Sequence, residues 1–330
     1  MAIVATTQVP TPDYWKFASD LQVGDWVFNK DGKLTQIKLI HDYRAEKCYE
    51  VHLHDGIVVQ GDQNLAFKTE NKVNRNNQLK YRGVKKLNCT LKRKDIKTLL
   101  FEPLVSSEAR STISIPTARP LCYPHQDLPV PPFVFAFWYF SRQSKQRLSL
   151  AYQYEDEVTE KFRDLGYKII PGTKRTENLR MVKVLPNIES QLIPNIPKQI
   201  PNNYLMGSPE QRIEFLRGIV YAKSRSYNEK HDVFRFSSKH LPMVLRVQGL
   251  IESLGIRTYM RENPYRKTWT VFFRTKIQLI PNQRPRPMKV YESRRFIKKI
   301  IEIPAQQCVH IETTDPDNSI LVGEGYIATC

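Results

Sequence analysis

Between residues 131 and 256 the sequence passes twice through one order of elements, and this repeat limits the possible folds more than any other feature. An apolar run at 133–140 is followed by strand-like residues at 147–154. An amphipathic stretch at 155–165 then ends at Gly166, a residue suited to a helix C-cap. The second pass has an apolar helix at 213–222, strand-like residues at 233–237, and a helix at 241–254 closed by Gly255. Even the helix ends correspond, Asp164-Leu165-Gly166-Tyr167 against Ser253-Leu254-Gly255-Ile256. Such self-similarity predicts an internal duplication, and so a monomer with internal pseudo-symmetry.

The flanks are of another kind. Residues 13–67 read as short strands broken by turns, with Asp31-Gly32 and Asp55-Gly56 as hairpin signals beside β-rich runs such as Cys48-Tyr49-Glu50-Val51-His52-Leu53. Residues 284–330 return to short strands after a basic entry at Arg294, Arg295, Lys298 and Lys299. A β, then αβ, then β order predicts an α+β protein: a split all-β module with an αβ domain inserted. We expect the N-terminal part at 1–125, the inserted domain at 126–283 with repeats at about 131–200 and 208–280, and the C-terminal part at 284–330.

Charge points to the partner. The chain carries 51 Lys and Arg against 33 Asp and Glu, a formal excess of +18, which favours a polyanion, nucleic acid first and an anionic membrane surface second. A basic arm at 68–97 concentrates that excess: Lys80, Arg82, Lys85, Lys86, Lys92, Arg93 and Lys94 lie in it, with Glu70 and Asp95 the only acids. An ordinary charge run is a solvated loop, but Tyr81 within the run and the whole-chain excess favour phosphate contact. No apolar run approaches the ~20 residues of a membrane helix, and Met1 to Thr7 lack a basic region followed by an apolar core. The five cysteines, Cys48, Cys89, Cys122, Cys308 and Cys330, are odd in number and form no C-x-x-C pair. They read as reduced thiols of an intracellular protein, not a zinc site.

The outer segments resemble the Hint fold of inteins, particularly those interrupting phage terminases. Pro10-Thr11-Pro12-Asp13-Tyr14-Trp15 and Asp20-Leu21-Gln22-Val23-Gly24-Asp25-Trp26-Val27-Phe28 match the family's opening. Cys308-Val309-His310-Ile311-Glu312, Asn318 to Val322, and Gly325 to Thr329 match its closing blocks. The resemblance implies a first-position nucleophile, a catalytic His in an internal block and a terminal His-Asn. Here Val4 stands at the first position, Asn64 at the His, and Cys330 where the terminal His would be. Some terminase-type inteins use a Cys of the closing blocks together with a Trp two residues after the His. Cys308 matches that Cys, but Ala66 holds the Trp position, so splicing is expected to be lost and Cys308 to be a buried strand residue.

The middle segment resembles the LAGLIDADG homing endonucleases carried inside inteins. Its two signature helices match Pro131-Pro132-Phe133-Val134-Phe135-Ala136-Phe137-Trp138-Tyr139-Phe140-Ser141-Arg142 and Ser208-Pro209-Glu210-Gln211-Arg212-Ile213-Glu214-Phe215-Leu216-Arg217-Gly218 through Lys223-Ser224. Pro209 suits a helix start, and Ala136 and Gly218 suit close helix contact. The family implies an acid at each helix end holding divalent metal over the scissile phosphates. Ser141 and Lys223 occupy those positions. A lysine ~5 Å from a divalent ion would repel it by about 6–7 kcal/mol at an effective dielectric near 20. Cleavage is therefore expected to be lost, with no cofactor; Mg2+ enters only if displaced acids such as Glu155, Asp156 or Glu210 keep a free-standing endonuclease active.

The resemblance also implies long basic strands against nucleic acid, and the candidates are Arg147, then Arg235, Arg257, Arg261, Arg266, Lys267, Arg274 and Lys276. Any one of these is as readily an exposed strand face. The resulting expectation is a non-catalytic nucleic-acid-binding protein of intein-borne endonuclease origin. Its expected partner is structured RNA, slightly ahead of duplex DNA, with proteins of a ribonucleoprotein beside it in a ribosome- or maturase-like role. The alternatives are the active endonuclease, or a structural component of a viral or larger protein assembly.

Overall fold

The structure, a computed structural model, describes residues 2–71, 91–106, 111–144, 147–176, 178–192, 199–223, 226–285 and 293–330. The chain opens with strands β1 (Ala2–Val4), β2 (Gln8–Pro10), β3 (Trp15–Phe17), β4 (Trp26–Phe28), β5 (Leu34–Ala45), β6 (Cys48–Leu53), β7 (Val58–Asp62), β8 (Ala66–Asn71), β9 (Lys92–Asp95) and β10 (Ile113–Pro116). There follow α1 (Pro132–Ser141), β11 (Arg142–Ser144), β12 (Arg147–Ala151), α2 (Glu155–Asp164), β13 (Lys168–Thr176) and β14 (Leu179–Leu185). The same order returns in α3 (Pro209–Ala222), β15 (Tyr227–Asn228), β16 (Val233–Ser238), α4 (Leu241–Ser253), β17 (Thr258–Asn263) and β18 (Thr268–Phe273). The last strands are β19 (Arg294–Ile303), β20 (Gln306–Thr313), β21 (Ile320–Val322) and β22 (Ile327–Thr329). The result is a mixed α/β protein with large antiparallel sheets.

The chain divides into two units. Unit 1 comprises Met1–Cys122, Gly255–Arg257 and Met288–Cys330, and unit 2 comprises Tyr123–Leu254 and Thr258–Pro287. Unit 1 holds one ten-stranded sheet in the order β4-β5-β20-β1-β7-β6-β19-β10-β8-β9. Strands from the two ends of the sequence therefore alternate within it, β1 lying between β20 and β7. Its core includes Ile3, Val51, Leu65, Phe67, Ile297 and Val309. The two expected turns form where glycine tolerates a left-handed backbone: Gly32 has φ +74° between β4 and β5, and Gly56 φ +91° between β6 and β7. Asn29 fixes the first by accepting, through Oδ1, the backbone N–H of Asp31 and of Lys33, each at 3.0 Å. Against the short strands expected over 13–67, β5 is 12 residues long. Its length follows from serving two partners in turn, β4 through Leu34–Gln36 and β20 through Ile37–Ala45.

Unit 2 carries two four-stranded sheets, β11-β12-β14-β13 and β15-β16-β18-β17, with α1 and α3 packed together. Helix α3 starts on a capping box: Ser208 accepts from the Gln211 backbone, Gln211 accepts from the Ser208 backbone, and Pro209 fills the first helical position. Helix α1 is aromatic on nearly every side and is buried accordingly. Phe135 stacks on Tyr204 at 4.1 Å between centroids, and Phe137 meets Phe162 of α2 edge-on at 5.4 Å. The first repeat's strand is shorter than the sequence suggests, because Tyr152–Tyr154 turn into a 3-10 helix that leads directly into α2.

Candidate functional site

The helix seam of unit 2 fixes the geometry of the family-like site. Helices α1 and α3 lie side by side in the same direction, with Gly218 against Ala136. A Cβ at Gly218 would stand 2.5 Å from the Phe133 carbonyl oxygen and 2.7 Å from the Ala136 Cβ, so no larger residue fits without opening the seam. Further along, Lys223 caps α3 and its Nζ donates to the Phe140 carbonyl oxygen at 3.2 Å, beside the buried Ser141. The ammonium also lies 6.0 Å from the centroid of the Phe140 ring. Burial lowers the Lys223 pKa from its ordinary value, since desolvation penalises the charged form. The carbonyl end of α1 offsets part of that cost, as a helix C-terminus attracts positive charge.

These residues do not fit a divalent cation. Ser141 offers a hydroxyl and Lys223 a positive charge where the family resemblance implies two carboxylates. Among the described residues no group of three or more His, Cys, Asp and Glu side chains is placed to hold a metal ion. Of the three acids named as displaced ligands, Glu210 is remote from the helix ends. Glu210 lies in the first turn of α3, a helix length of about 20 Å from Lys223, and Ser208 donates to it at 2.8 Å. Glu155 is paired with Arg180 at 3.0 Å, and Asp156 is exposed on α2. No hydrolytic step follows from this seam.

The two sheets are where unit 2 presents charge. In the second, antiparallel register places Arg235, Phe272 and Tyr259 in one row across β16, β18 and β17, and Ser237, Thr270 and Arg261 in the next. The alternate residues Phe234, Phe236, Val271 and Phe273 are buried, so the Arg235–Arg261 rows form the outer face. The β17–β18 turn carries exposed Arg266, Lys267 and Tyr265, the last 97% exposed. Lys276 is exposed beyond β18, and Arg274 is half-buried. Cations interleaved with exposed tyrosines are groups that contact phosphates and stack on bases. In the first sheet Arg147 opens β12, opposite Ser144. Sequence reasoning missed the β13–β14 hairpin, which exposes Lys168, Lys174 and Lys183. The alternation in Leu179-Arg180-Met181-Val182-Lys183-Val184-Leu185 is the signal that could have found it.

Several basic candidates are placed otherwise than expected. Arg257 belongs to unit 1, where its Nε lies 3.6 Å from Asp55 and its Nη1 donates to the Arg294 carbonyl oxygen at 3.1 Å. Lys94 is drawn onto Glu102, and Lys68, at the start of the basic arm, pairs with Asp317 at 2.5 Å. Both carry out internal neutralisation on the β8–β9 pair, whereas Lys92 and Arg93 of the same edge strand are exposed. Lys80, Arg82, Lys85 and Lys86 lie outside the described residues.

In unit 1 the structure draws together most of the splicing-like positions. Val4 faces Cys308 across the β1–β20 pair, and Ile3 faces Gly61 on β7. Asp62, next in β7, accepts the Tyr43 hydroxyl at 2.6 Å, the Asn64 amide at 2.7 Å and the backbone N–H groups of Asn64 and Leu65. Asn64 is thus a donor to a buried carboxylate and does not play the part of an imidazole base. Cys308 is wholly buried, and burial, with the Cys48 thiol beside it, pushes its thiol up to about 12. A thiol held protonated is a poor nucleophile at neutral pH. Ala66 is buried on β8 and its carbonyl accepts the Cys330 N–H at 2.9 Å.

No family model matches the chain. Among curated proteins it is similar to the replicative DNA helicase DnaB of Mycobacterium intracellulare, 26% identical over 264 residues, which cover 78% of this chain and 43% of the relative. The chain thus spans less than half the length of the curated relative it matches. The solved structures it resembles include the MchDnaB-1 intein, 32% identical over 21% of this chain and 53% of that one, with a TM-score of 0.20. They also include mesophilic variants of the homing endonuclease I-DmoI (8% identical, 46% and 85% covered, TM-score 0.33). A third is the N-terminal LAGLIDADG domain of DUF199/WhiA (12% identical, 44% and 76% covered, TM-score 0.33). The resemblances are thus of two kinds, to inteins and to LAGLIDADG proteins.

Proposed function

We propose that this chain is a nucleic-acid-binding protein of intein-borne endonuclease origin, inactive in splicing and in cleavage. The seam supports this reading most directly: Lys223 brings a half-buried ammonium to the helix ends where cleavage needs carboxylates. The outer rows of the second sheet, with Arg235 and Arg261, supply the binding surface. In unit 1, Cys308 without a Trp at Ala66 fits descent from a terminase-type intein whose splicing chemistry has lapsed.

The partner is a polyanion gripped through its phosphates. The preference for structured RNA in a ribonucleoprotein rests on the loss of cleavage, since a protein that no longer cuts has less use for base-edge reading. The outer rows favour neither nucleic acid, because Ser237, Thr270 and the two arginines suit the base edges of duplex DNA as well as an RNA backbone. Crosslinking and sequencing the nucleic acid that copurifies with the full chain tests the reading. Recovery of a defined RNA or DNA, crosslinked at β16–β18 peptides, is the expected result. Absence of any crosslinked nucleic acid, with weak and salt-independent binding in vitro, would overturn it in favour of a protein-assembly role.

A further inference from the structure

Cys48 and Cys308 are 260 residues apart in sequence, yet their sulfur atoms lie 3.6 Å apart. Both are wholly buried and neither is in a disulfide. Cys48 opens β6, opposite Asp62 on β7 and Ile303 on β19, while Cys308 lies on β20 opposite Val4 and Tyr43. Strands β1 and β7 stand between β20 and β6 in the sheet, so the thiols meet because the sheet curls upon itself. Val4 and Ala45 complete a small apolar cluster around them, with Tyr43 and Ile303 packed against it. The sulfurs are in van der Waals contact, about 1.5 Å beyond a covalent S–S bond, a gap that small side-chain rotations close.

We propose that Cys48 and Cys308 form a reversible redox clasp, a disulfide that joins the first and last sequence segments of unit 1 across the whole sequence of unit 2. Two S–H bonds break and one S–S bond forms. The two protons and two electrons pass to a small oxidant: a disulfide such as oxidised glutathione, reduced to two thiols, or diamide, whose N=N bond becomes a hydrazine. Because both sulfurs are sealed in the cluster, the oxidant reaches them only when β1 or the start of β20 opens locally. Oxidation is therefore slow in the native protein and faster in urea below the unfolding transition. Of the remaining described cysteines, Cys122 is exposed and Cys330 is buried elsewhere.

The test oxidises the full chain with diamide in mild urea, blocks residual thiols by alkylation, and maps the peptides. The expected result is a Cys48–Cys308 linked peptide and the loss of two alkylatable thiols, both reversed by dithiothreitol. After limited proteolysis within unit 2, the N- and C-terminal fragments should stay joined on a denaturing gel without reductant and separate with it. The oxidised form should melt about 5 °C or more higher. Cys48→Ser and Cys308→Ser should each abolish the link, and Cys122→Ser should keep it. Mapping the unaltered chain decides the matter even if a serine variant misfolds. Full alkylation of Cys48 and Cys308 after oxidation, or linkage only through other cysteines, would overturn the proposal.

Discussion

The splicing-like site of unit 1 and the seam of unit 2 have both departed from the residues their resemblances imply, but in opposite physical directions. Around Asp62 the departures are absorbed: Asn64 and Tyr43 donate to the carboxylate, Cys308 is a protonated thiol, and Val4 and Ala66 are plain packing. At the seam the departure adds a cation, which Phe140 receives through one carbonyl and one ring. The first arrangement leaves a packed, hydrogen-bonded scaffold. The second sets an ammonium where a divalent ion would need carboxylates, in a unit whose second sheet carries Arg235 and Arg261 on its outer face. Unit 1 uses its arginines differently, closing Arg295 and Arg257 onto Asp55 and Arg294 onto Glu70.

Gly218 is the position where a substitution should cost the most. Gly218→Val must push α1 and α3 apart, and we expect about 3 kcal/mol or more of destabilisation in unit 2. Urea unfolding, with protease protection read separately on unit 1 peptides, should show the loss confined to unit 2. Equal loss in both units would remove the distinction. Next in size is Asp62→Ala, which strips the acceptor from one hydroxyl, one side-chain amide and two backbone N–H groups. We expect about 2–3 kcal/mol lost from unit 1 and no change in nucleic-acid affinity.

Arg235→Ala with Arg261→Ala should weaken binding and lower the salt slope by about 2, one for each phosphate left without its arginine. Arg257→Ala should lower stability and leave that slope unchanged, because its guanidinium is committed to Asp55 and Arg294. The smallest effect is at Lys223. Its folded pKa lies below the unfolded value, so between those values the unfolded state binds more protons and stability rises with pH. Lys223→Met should therefore raise Tm by about 2–4 °C at neutral pH, an advantage that shrinks as pH climbs toward 10.5. An advantage that stays constant with pH would show that the lysine is not charged and buried in the folded protein.

The parts of the fold readable from sequence were those set by local chemistry. Pro209 with Ser208, the glycines at 32, 56, 166 and 255, and the apolar runs of α1 and α3 each carry their own backbone instruction. What could not be read depends on pairing across long sequence distances. The position of β1 between β20 and β7, the meeting of Cys48 with Cys308, and the commitment of Arg257 to unit 1 are decided by strands that no local pattern links. The site divides in the same way. Ser141 and Lys223 were named through the family resemblance and do stand at the ends of α1 and α3, but whether a given arginine faces outward or pairs internally depends on register. A one-residue slip in β17 would exchange Arg261 with a neighbour on the opposite face.

A chain that binds nucleic acid without a metal site should bind independently of Mg2+ and leave its partner uncut. A labelled duplex DNA and a structured RNA should be titrated with the full chain at several salt concentrations, once in EDTA and once in Mg2+, and every sample then run on a denaturing gel. Equal affinity and equal salt slope in both buffers, with all strands intact, are expected. Binding that requires Mg2+, or discrete cleavage products that appear only with it, would show a working metal site and overturn the proposed function.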